Sequence, residues 1–257
     1  MGFRFKASLR WRSAWAALLA WVLVPSALAD EVTVAVAANF MQPMHQIAAA
    51  FERDSGHRLR LSYGSTGRLA AQIRNGAPFD VLLAADEATP ARLESDGLAV
   101  RGTRMTYATG RLVLWSLQPG AVDAQGEVLR RPPSGHLAVA DPKLAPYGRA
   151  ALQTLQRLGV LPAWQPRLVQ GESIAQAHQY VASGNAALGL VALGQVFDGG
   201  RLLQGSAWVV PASLHEPIRQ DAVLLRRAQG HAAAQALLRF LQSEGARALI
   251  RAHGYEV

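Results

Sequence analysis

Cysteine is absent from this chain of 257 residues. Its absence excludes disulfide bonds, thiolate chemistry, cysteine-based metal sites and a lipid anchor attached through a cysteine. A chain of this length can be stabilised by burial of an apolar core alone. We therefore expect a fold that depends on packing, without covalent crosslinks.

Motifs of the common enzyme classes are also missing. The seven histidines include no pair at i,i+4 spacing and no HExxH, and the sequence has no GxSxG elbow, no Walker GKT and no paired carboxylate motif. An exported hydrolase with Ser65 or Ser173 as nucleophile and His178 as base is the alternative. Ser173 and His178 lie five residues apart on one predicted helix, a poor geometry for proton transfer, and no acidic partner is indicated. The sequence predicts that the protein is not an enzyme and needs no cofactor.

The charge distribution argues against nucleic-acid binding. The formal net charge is +8, but arginines are spread along the chain and are not interleaved with aromatic residues. Four of the positive charges fall within positions 4–12, ahead of the apolar stretch 14–24 and a small-residue site at Ala27-Leu-Ala29. This pattern predicts a secretory signal over residues 1–29 that is cleaved near Ala29, which lowers the net charge to +4.

Cleavage near Ala29 predicts a mature protein of about 228 residues in the periplasm. The alternative is an uncleaved membrane anchor. The apolar stretch is only about half of the roughly 20 residues that a spanning helix needs, and a cleavage site follows it.

Short apolar runs alternate with helical patterns through the rest of the chain. This alternation predicts α/β lobes with mostly parallel sheets and helices on both faces. Strands are predicted at residues 32–36, 58–63, 80–84, 111–116, 137–140 and 188–191, with helices reaching Gly56, at 69–73, 149–158, 173–181, 232–242 and 244–253.

Two such series suggest two lobes, although no Gly/Ser linker or Pro-rich linker separates them. The extended segments 106–115 and 218–225 would carry the chain across and back, and the C-terminal helices would pack on the first lobe. We predict a first lobe of residues 30–109 and 224–257, and a second lobe of residues 110–223.

Polar turns follow several predicted strands. Asn39 stands after two alanines at a predicted N-cap, Ser65 and Thr66 share a glycine-flanked turn, and Tyr147 lies in the turn 141–148. The first turn of a helix leaves N–H groups unpaired, and such helix starts at a sheet edge favour anions. Each turn taken alone is better explained as an ordinary helix cap. Their co-occurrence in a chain with an export signal and no catalytic motif favours a neutral, donor-rich anion pocket.

Several ordered motifs resemble the periplasmic molybdate-binding proteins of ATP-binding-cassette importers, and the resemblance covers residues 30–257. The matching stretches are Val34-Ala-Val-Ala-Ala-Asn-Phe40, Tyr63-Gly-Ser-Thr-Gly-Arg-Leu-Ala-Ala-Gln-Ile73, Asn75-Gly-Ala-Pro-Phe-Asp80 with Ala84-Ala-Asp86, Val139-Ala-Asp-Pro142, Pro146-Tyr-Gly148, Leu188-Gly-Leu-Val191 and Gly254-Tyr255. The resemblance implies a type II periplasmic-binding-protein fold whose lobes close on molybdate or tungstate. It also implies delivery of the ion to a membrane permease, and we expect a monomer.

By position, the resemblance assigns the oxyanion to polar groups of Asn39 and Thr66 and to backbone N–H groups of Tyr147 and Ile174. Ala38 and Ser65 are candidate additional contacts, and no side chain is expected to ligate the metal directly. Many family members carry serine at position 39 and tyrosine at position 192, where this chain has Asn39 and Ala192. The chain therefore resembles an asparagine-type branch, in which the Asn39 amide and Tyr147 rebalance the donors.

Three other functions share this fold. Sulfate or thiosulfate binding stays open, because these ions also lack a proton at neutral pH. Iron(III) binding is disfavoured because no two of the five tyrosines are adjacent in sequence. The effector lobe of a transcription regulator is disfavoured by the predicted export signal and by the lack of a helix-turn-helix segment.

Overall fold

The computed structural model of this chain describes residues 1–2 and 30–257. The predicted signal segment and its cleavage site fall outside the described residues. No helix within the described part of the chain is long and apolar enough to cross a membrane.

The described residues form twelve strands and nine α-helices in an alternating order. The strands are β1 Glu31–Ala37, β2 Arg58–Gly64, β3 Val81–Leu83, β4 Met105–Gly110, β5 Leu112–Ser116, β6 Leu137–Ala140, β7 Leu168–Gly171, β8 Leu188–Ala192, β9 Phe197–Asp198, β10 Arg201–Leu202, β11 Ser206–Val209 and β12 Ile218–Leu224. The helices are α1 Met41–Ser55, α2 Thr66–Arg74, α3 Ala88–Ser95, α4 Pro146–Arg157, α5 Leu161–Trp164, α6 Ile174–Ala182, α7 Leu193–Val196, α8 Ala232–Leu241 and α9 Glu244–Ala252.

The first lobe is built on a five-stranded sheet in the order β2-β1-β3-β12-β4. Strands β1, β2 and β3 are parallel, whereas β12 runs antiparallel to both β3 and β4. Helices α1, α8 and α9 bury apolar side chains on one face of this sheet, and α2 and α3 pack on the other. The C-terminal helices α8 and α9 thus lie against the sheet of the first lobe.

The second lobe is built on a five-stranded sheet in the order β11-β5-β8-β6-β7. Strands β6, β7 and β8 are parallel, and β5 and β11 add antiparallel pairs at one side. Its apolar core also contacts three small residues of the first lobe, Ala37, Ala38 and Ala85. The mixed sheets and their flanking helices agree with the predicted two-lobed α/β fold.

Two crossings join the lobes. The chain leaves the first sheet at the end of β4, passes Arg111 and enters the second sheet as β5. It returns between β11 and β12, so residues 218–223, which the sequence assigned to the second lobe, pair within the first sheet. The sequence predicts an extended segment at residues 218–225, but its place between β3 and β4 depends on pairing with strands over one hundred residues away.

Local sequence explains several element boundaries. Helix α1 ends at Ser55, and the next residue, Gly56, has a left-handed φ of 74° and donates its N–H to the Glu52 carbonyl at 3.0 Å. Helix α4 begins at Pro146, three residues before the predicted start. Proline suits the first helical position because its fixed φ is helical and its missing N–H would have no partner there.

Candidate functional site

A small cavity lies between the lobes at the carboxyl ends of the parallel strands. Only about 10 Å³ of it is open to the centre of a water molecule, so the cavity is small and tightly enclosed. The lining includes all six residues predicted from the sequence. The residues that line it are Ala37, Ala38, Asn39, Gly64, Ser65, Thr66, Ala85, Ala145, Pro146, Tyr147 and Ile174. No charged side chain is among them.

Asn39 enters the cavity wall from a single 3-10 turn, residues Ala38–Phe40, between β1 and α1. It is therefore inside the helical segment, and the predicted N-cap position is occupied by Ala37 instead. The Asn39 side chain is 2% exposed, and its Nδ2 donates to Gln220 Oε1 at 2.8 Å and to the Tyr255 hydroxyl at 3.2 Å. Its Oδ1 has no hydrogen-bond partner.

Ser65 and Thr66 bring two hydroxyl groups to the cavity from the start of α2. Ser65 occupies the N-cap position, but its Oγ makes no capping bond and has no other partner although the residue is buried. Thr66 Oγ1 accepts a hydrogen bond from the Ala85 N–H at 2.9 Å, which leaves the hydroxyl proton free to donate elsewhere. Both hydroxyls can therefore donate to a ligand.

The second lobe contributes backbone donors. Tyr147 is the second residue of α4 and Ile174 is the first residue of α6, positions whose N–H groups have no partner earlier in the helix. The Ser173 side chain caps α6 by accepting from the Gln176 N–H at 3.3 Å. The start of a helix also carries partial positive charge, so both positions favour a negative ligand.

Contacts between the lobes surround the cavity. The Gly67 N–H of α2 donates to the Leu144 carbonyl in the loop before α4 at 2.9 Å. Two ion pairs also connect the lobes. These are Arg68 with Glu172 at 2.7 Å and Arg149 with Asp86 at 2.9 Å. Each pair is neutral as a whole, so the rim adds little net charge to the site.

A buried polar cluster lies beside the cavity, and sequence reasoning missed most of it. We name the group of Asn39, Tyr107, Tyr147, Gln220 and Tyr255 the amide-tyrosine cluster; all five residues are at most 4% exposed. Gln220 is the middle residue of the polar run Arg219-Gln-Asp221 in β12, so the sequence alone does not single it out.

The hydroxyl groups of the cluster remain protonated at neutral pH. Burial raises the pKa of Tyr107, Tyr147 and Tyr255 well above the ordinary value of 10.0. Protonated phenols donate hydrogen bonds and carry no charge. The cluster is therefore uncharged, and the cavity beside it is lined by neutral groups that include the Ser65 and Thr66 hydroxyls and the helix-start amides.

The geometry argues against the two other chemistries considered from the sequence. The Ser65 hydroxyl has no base within hydrogen-bond distance, and His178 stacks on Trp115 with ring centroids 4.9 Å apart. For iron(III), three tyrosines do come together, contrary to the argument from their sequence spacing. Their raised pKa values oppose tyrosinate, however, and no group of three acidic or histidine side chains suited to a metal occurs among the described residues.

Comparison with known proteins agrees with this architecture. The family model described as bacterial extracellular solute-binding protein matches residues 32–256. The chain belongs to this family.

Individual members of the solute-binding family can be compared in more detail. A molybdate-binding protein ModA of Azotobacter vinelandii is 55% identical over 239 residues, which cover 93% of this chain and 95% of that protein. The ModA of Rhodobacter capsulatus is 45% identical over 254 residues and 98% of each chain. The solved Azotobacter vinelandii periplasmic molybdate-binding protein superposes with a TM-score of 0.84 and 42% identity, covering 88% of this chain and 99% of that one.

Proposed function

We propose that this protein captures molybdate, and tungstate as its near equivalent, in the periplasm and delivers it to the permease of an ABC importer. It acts as a binding protein and not as an enzyme. The observation that carries the proposal is the cavity lined only by neutral groups, with donors from both lobes. The similarity to ModA proteins over nearly the whole chain supports the choice of molybdate.

A neutral site of donors selects anions by their protonation state. A fully deprotonated dianion can accept hydrogen bonds in every direction, so each amide and hydroxyl finds a partner. Phosphate carries a proton near neutral pH, and that proton would face other donors without an acceptor, which costs about 1–3 kcal/mol. Sulfate lacks this proton, so it must be distinguished from the larger molybdate by the size of the closed cavity.

Closure of the lobes completes the site. Asn39 and Thr66 belong to the first lobe, whereas the Tyr147 and Ile174 amides belong to the second. One small ion contacts all four residues only when the lobes meet, so binding stabilises the closed form. In this proposal the permease recognises the closed protein, which is monomeric.

Titration of the exported, purified protein with molybdate, tungstate, sulfate and phosphate tests this function. We expect heat release and a raised melting temperature with the first two ions, since a native-state ligand at 1,000 times its Kd adds about 4 kcal/mol of stability. Sulfate and phosphate should bind far more weakly. Equal binding of sulfate would make this a general oxyanion receptor, and no response to any of the four ions would refute the function.

An Asn39→Ala variant tests the assigned site. We expect markedly weaker molybdate binding, because the amide is lost from the cavity wall and its buried partners Gln220 and Tyr255 are left without it. Asn185→Ala, in an exposed loop of the second lobe, is the matched control and should bind like the unmodified protein. Unchanged affinity of Asn39→Ala in isothermal titration would remove Asn39 from the site.

Two measurements test the remaining parts of the proposal. Mass spectrometry of the periplasmic protein should give a chain that begins at Asp30, since the signal is predicted to end at Ala29. Small-angle scattering should show a monomer that becomes more compact on addition of molybdate. A larger assembly, or identical curves with and without the ion, would contradict the monomer or the closure respectively.

A further inference from the structure

Beside the cavity, the two lobes touch through their backbones. Gly67 directly follows Thr66, which lines the cavity from the first lobe, and Leu144 directly precedes Ala145, which lines it from the second. The Gly67 N–H donates to the Leu144 carbonyl oxygen at 2.9 Å. This is the ordinary length of such a bond, so the two backbones cannot approach further without repulsion.

The Leu144 carbonyl is held in place by its own loop. The Asp141 carboxylate accepts from the Lys143 N–H at 2.8 Å. The Asp141 carbonyl accepts from the N–H groups of Leu144 at 3.1 Å and Ala145 at 2.8 Å. The Asp141 N–H donates to the Gly171 carbonyl of β7 at 2.7 Å, so the loop is fixed to the second sheet.

The start of α2, which carries Gly67, is fixed to the first lobe in a similar way. Thr66 Oγ1 accepts from the Ala85 N–H at 2.9 Å, which joins the start of α2 to the segment that follows β3. The Leu69 N–H donates to the Ser65 carbonyl at 3.0 Å, the first bond of the helical ladder. The Gly67–Leu144 contact therefore joins two segments of well-supported backbone.

The two ion pairs that also connect the lobes adapt to the gap and do not set it. In the pair of Arg68 and Glu172 the side chains are 60% and 68% exposed, and in the pair of Arg149 and Asp86 the arginine is 48% exposed. Long exposed side chains change rotamer at little cost, so these pairs can follow a change in the separation of the lobes. Backbone in contact with backbone cannot adapt in this way.

The separation of the lobes determines which ions can bridge them. Hydrogen bonds weaken as the donor–acceptor distance exceeds about 3.2 Å. Sulfate, selenate and molybdate are tetrahedral dianions of increasing size, and tungstate nearly equals molybdate. Around a smaller ion the lobes cannot close further, because Gly67 and Leu144 already touch. Such an ion forms good hydrogen bonds with one lobe and poor ones with the other.

We propose that the Gly67–Leu144 contact determines the size specificity of the site, because it holds the lobes at the separation that an ion of the size of molybdate bridges and sulfate does not. The inference rests on the proposed function, since it concerns the same ion. Neither residue is part of the cavity lining; both act through the distance between its walls. Position 67 requires glycine because of Leu144 and not because of its own backbone, whose φ is not positive.

The affinities of a Gly67→Ala variant for ions of different size test this inference. The added Cβ would lie 3.0 Å from the Leu144 carbonyl oxygen, so the gap must widen. Molybdate and tungstate, which are nearly equal in size, should lose affinity by the same factor, about tenfold. Selenate, which is smaller, should lose at least about threefold more than molybdate. Isothermal titration measures tight binding directly, and competition against molybdate measures the weaker ions.

Arg149→Gln is the control that weakens closure without a change at Gly67 or Leu144. It removes an ion pair between the lobes, and the ions compared all carry the same charge. Their affinities should therefore fall by one common factor, and the ratio of molybdate to selenate affinity should stay as in the unmodified protein. Only Gly67→Ala should change this ratio.

The outcomes separate this inference from the proposed function. If selenate loses affinity in Gly67→Ala by the same factor as molybdate, or by a smaller one, the inference is wrong and the proposed function stands. The same change of ratio in Arg149→Gln would also overturn the inference, because weaker closure alone would then account for it. Failure of the unmodified protein to bind molybdate or tungstate would overturn both.

Discussion

Gly67→Ala should separate lobe closure from folding. Gly67 lies in the first turn of α2, and a Cβ built there would approach Leu144 of the second lobe, 3.0 Å from its carbonyl oxygen and 3.1 Å from its Cα. Ordinary contacts of this kind begin near 3.4 Å, so the lobes must part by a few tenths of an ångström. Because the obstacle belongs to the other lobe, it exists only in the closed form.

The size of the effect follows from the contacts at Gly67. Separation stretches the 2.9 Å bond from the Gly67 N–H to the Leu144 carbonyl, and loss of such a bond costs about 0.5–1.5 kcal/mol. Together with the crowding that remains at Leu144, we expect the closed form to be destabilised by about 1.5 kcal/mol, which corresponds to roughly tenfold weaker molybdate binding. Without ligand, the free energy of unfolding of the Gly67→Ala variant should rise by about 0.5–1 kcal/mol, because alanine is more stable than glycine inside a helix.

Gly245→Ala is the matched control for this experiment. Gly245 is also the second residue of its helix, α9, and an added Cβ there meets nothing within 4 Å. Both variants should melt slightly higher without ligand, and only Gly67→Ala should bind molybdate more weakly in isothermal titration. If Gly67→Ala binds as tightly as the unmodified protein and compacts equally in scattering, the closed arrangement described above is incorrect.

Three further predictions concern charge and pH. Arg149→Gln removes the half-exposed arginine that pairs with Asp86 across the lobes. Molybdate affinity should therefore fall roughly two- to fivefold at low salt, and the difference from the unmodified protein should vanish in 0.5 M NaCl. A loss of affinity that does not depend on salt would contradict this prediction. Burial lowers the pKa of His178 below 6.5, so the free energy of unfolding should decrease as the pH falls below that value. The His178→Phe variant retains an aromatic ring against Trp115, and its free energy of unfolding, measured by denaturant titration, should decrease less over the same pH range. The three tyrosines of the amide-tyrosine cluster have raised pKa values in the folded protein, so above about pH 10 the unfolded chain loses their protons more readily. The melting temperature should therefore fall as the pH rises above about 10, and an unchanged melting temperature would contradict this prediction.

Much of the site could be predicted because it depends on local sequence. A strand followed by a polar turn and a helix places its turn at the sheet edge, and all six predicted residues line one cavity. The role predicted for each of these residues came from sequence motifs that resemble those of molybdate-binding proteins. Which group of each residue contacts the ion stays a prediction.

The parts that sequence reasoning missed depend on distant contacts. Gln220 and Tyr255 lie about 180 and 216 residues from Asn39 along the chain, and no local pattern indicates that they meet it. Asn39 itself was expected to cap a helix, which is the usual role of asparagine after a strand. Its side chain instead bonds to partners supplied by the last strand and the C-terminus, so tertiary contacts override the local preference.

The order of strands in the first sheet has a consequence for the order of folding. Strand β12 lies between β3 and β4, and the Tyr255 hydroxyl donates to the Asn39 carbonyl, so the first lobe is assembled from both ends of the chain. The second sheet is drawn from one continuous segment, β5 to β11. As the chain emerges from its N-terminus, the second lobe can fold while the first still lacks β12. The site for the ion is therefore complete only after β12 and Tyr255 have joined the first lobe.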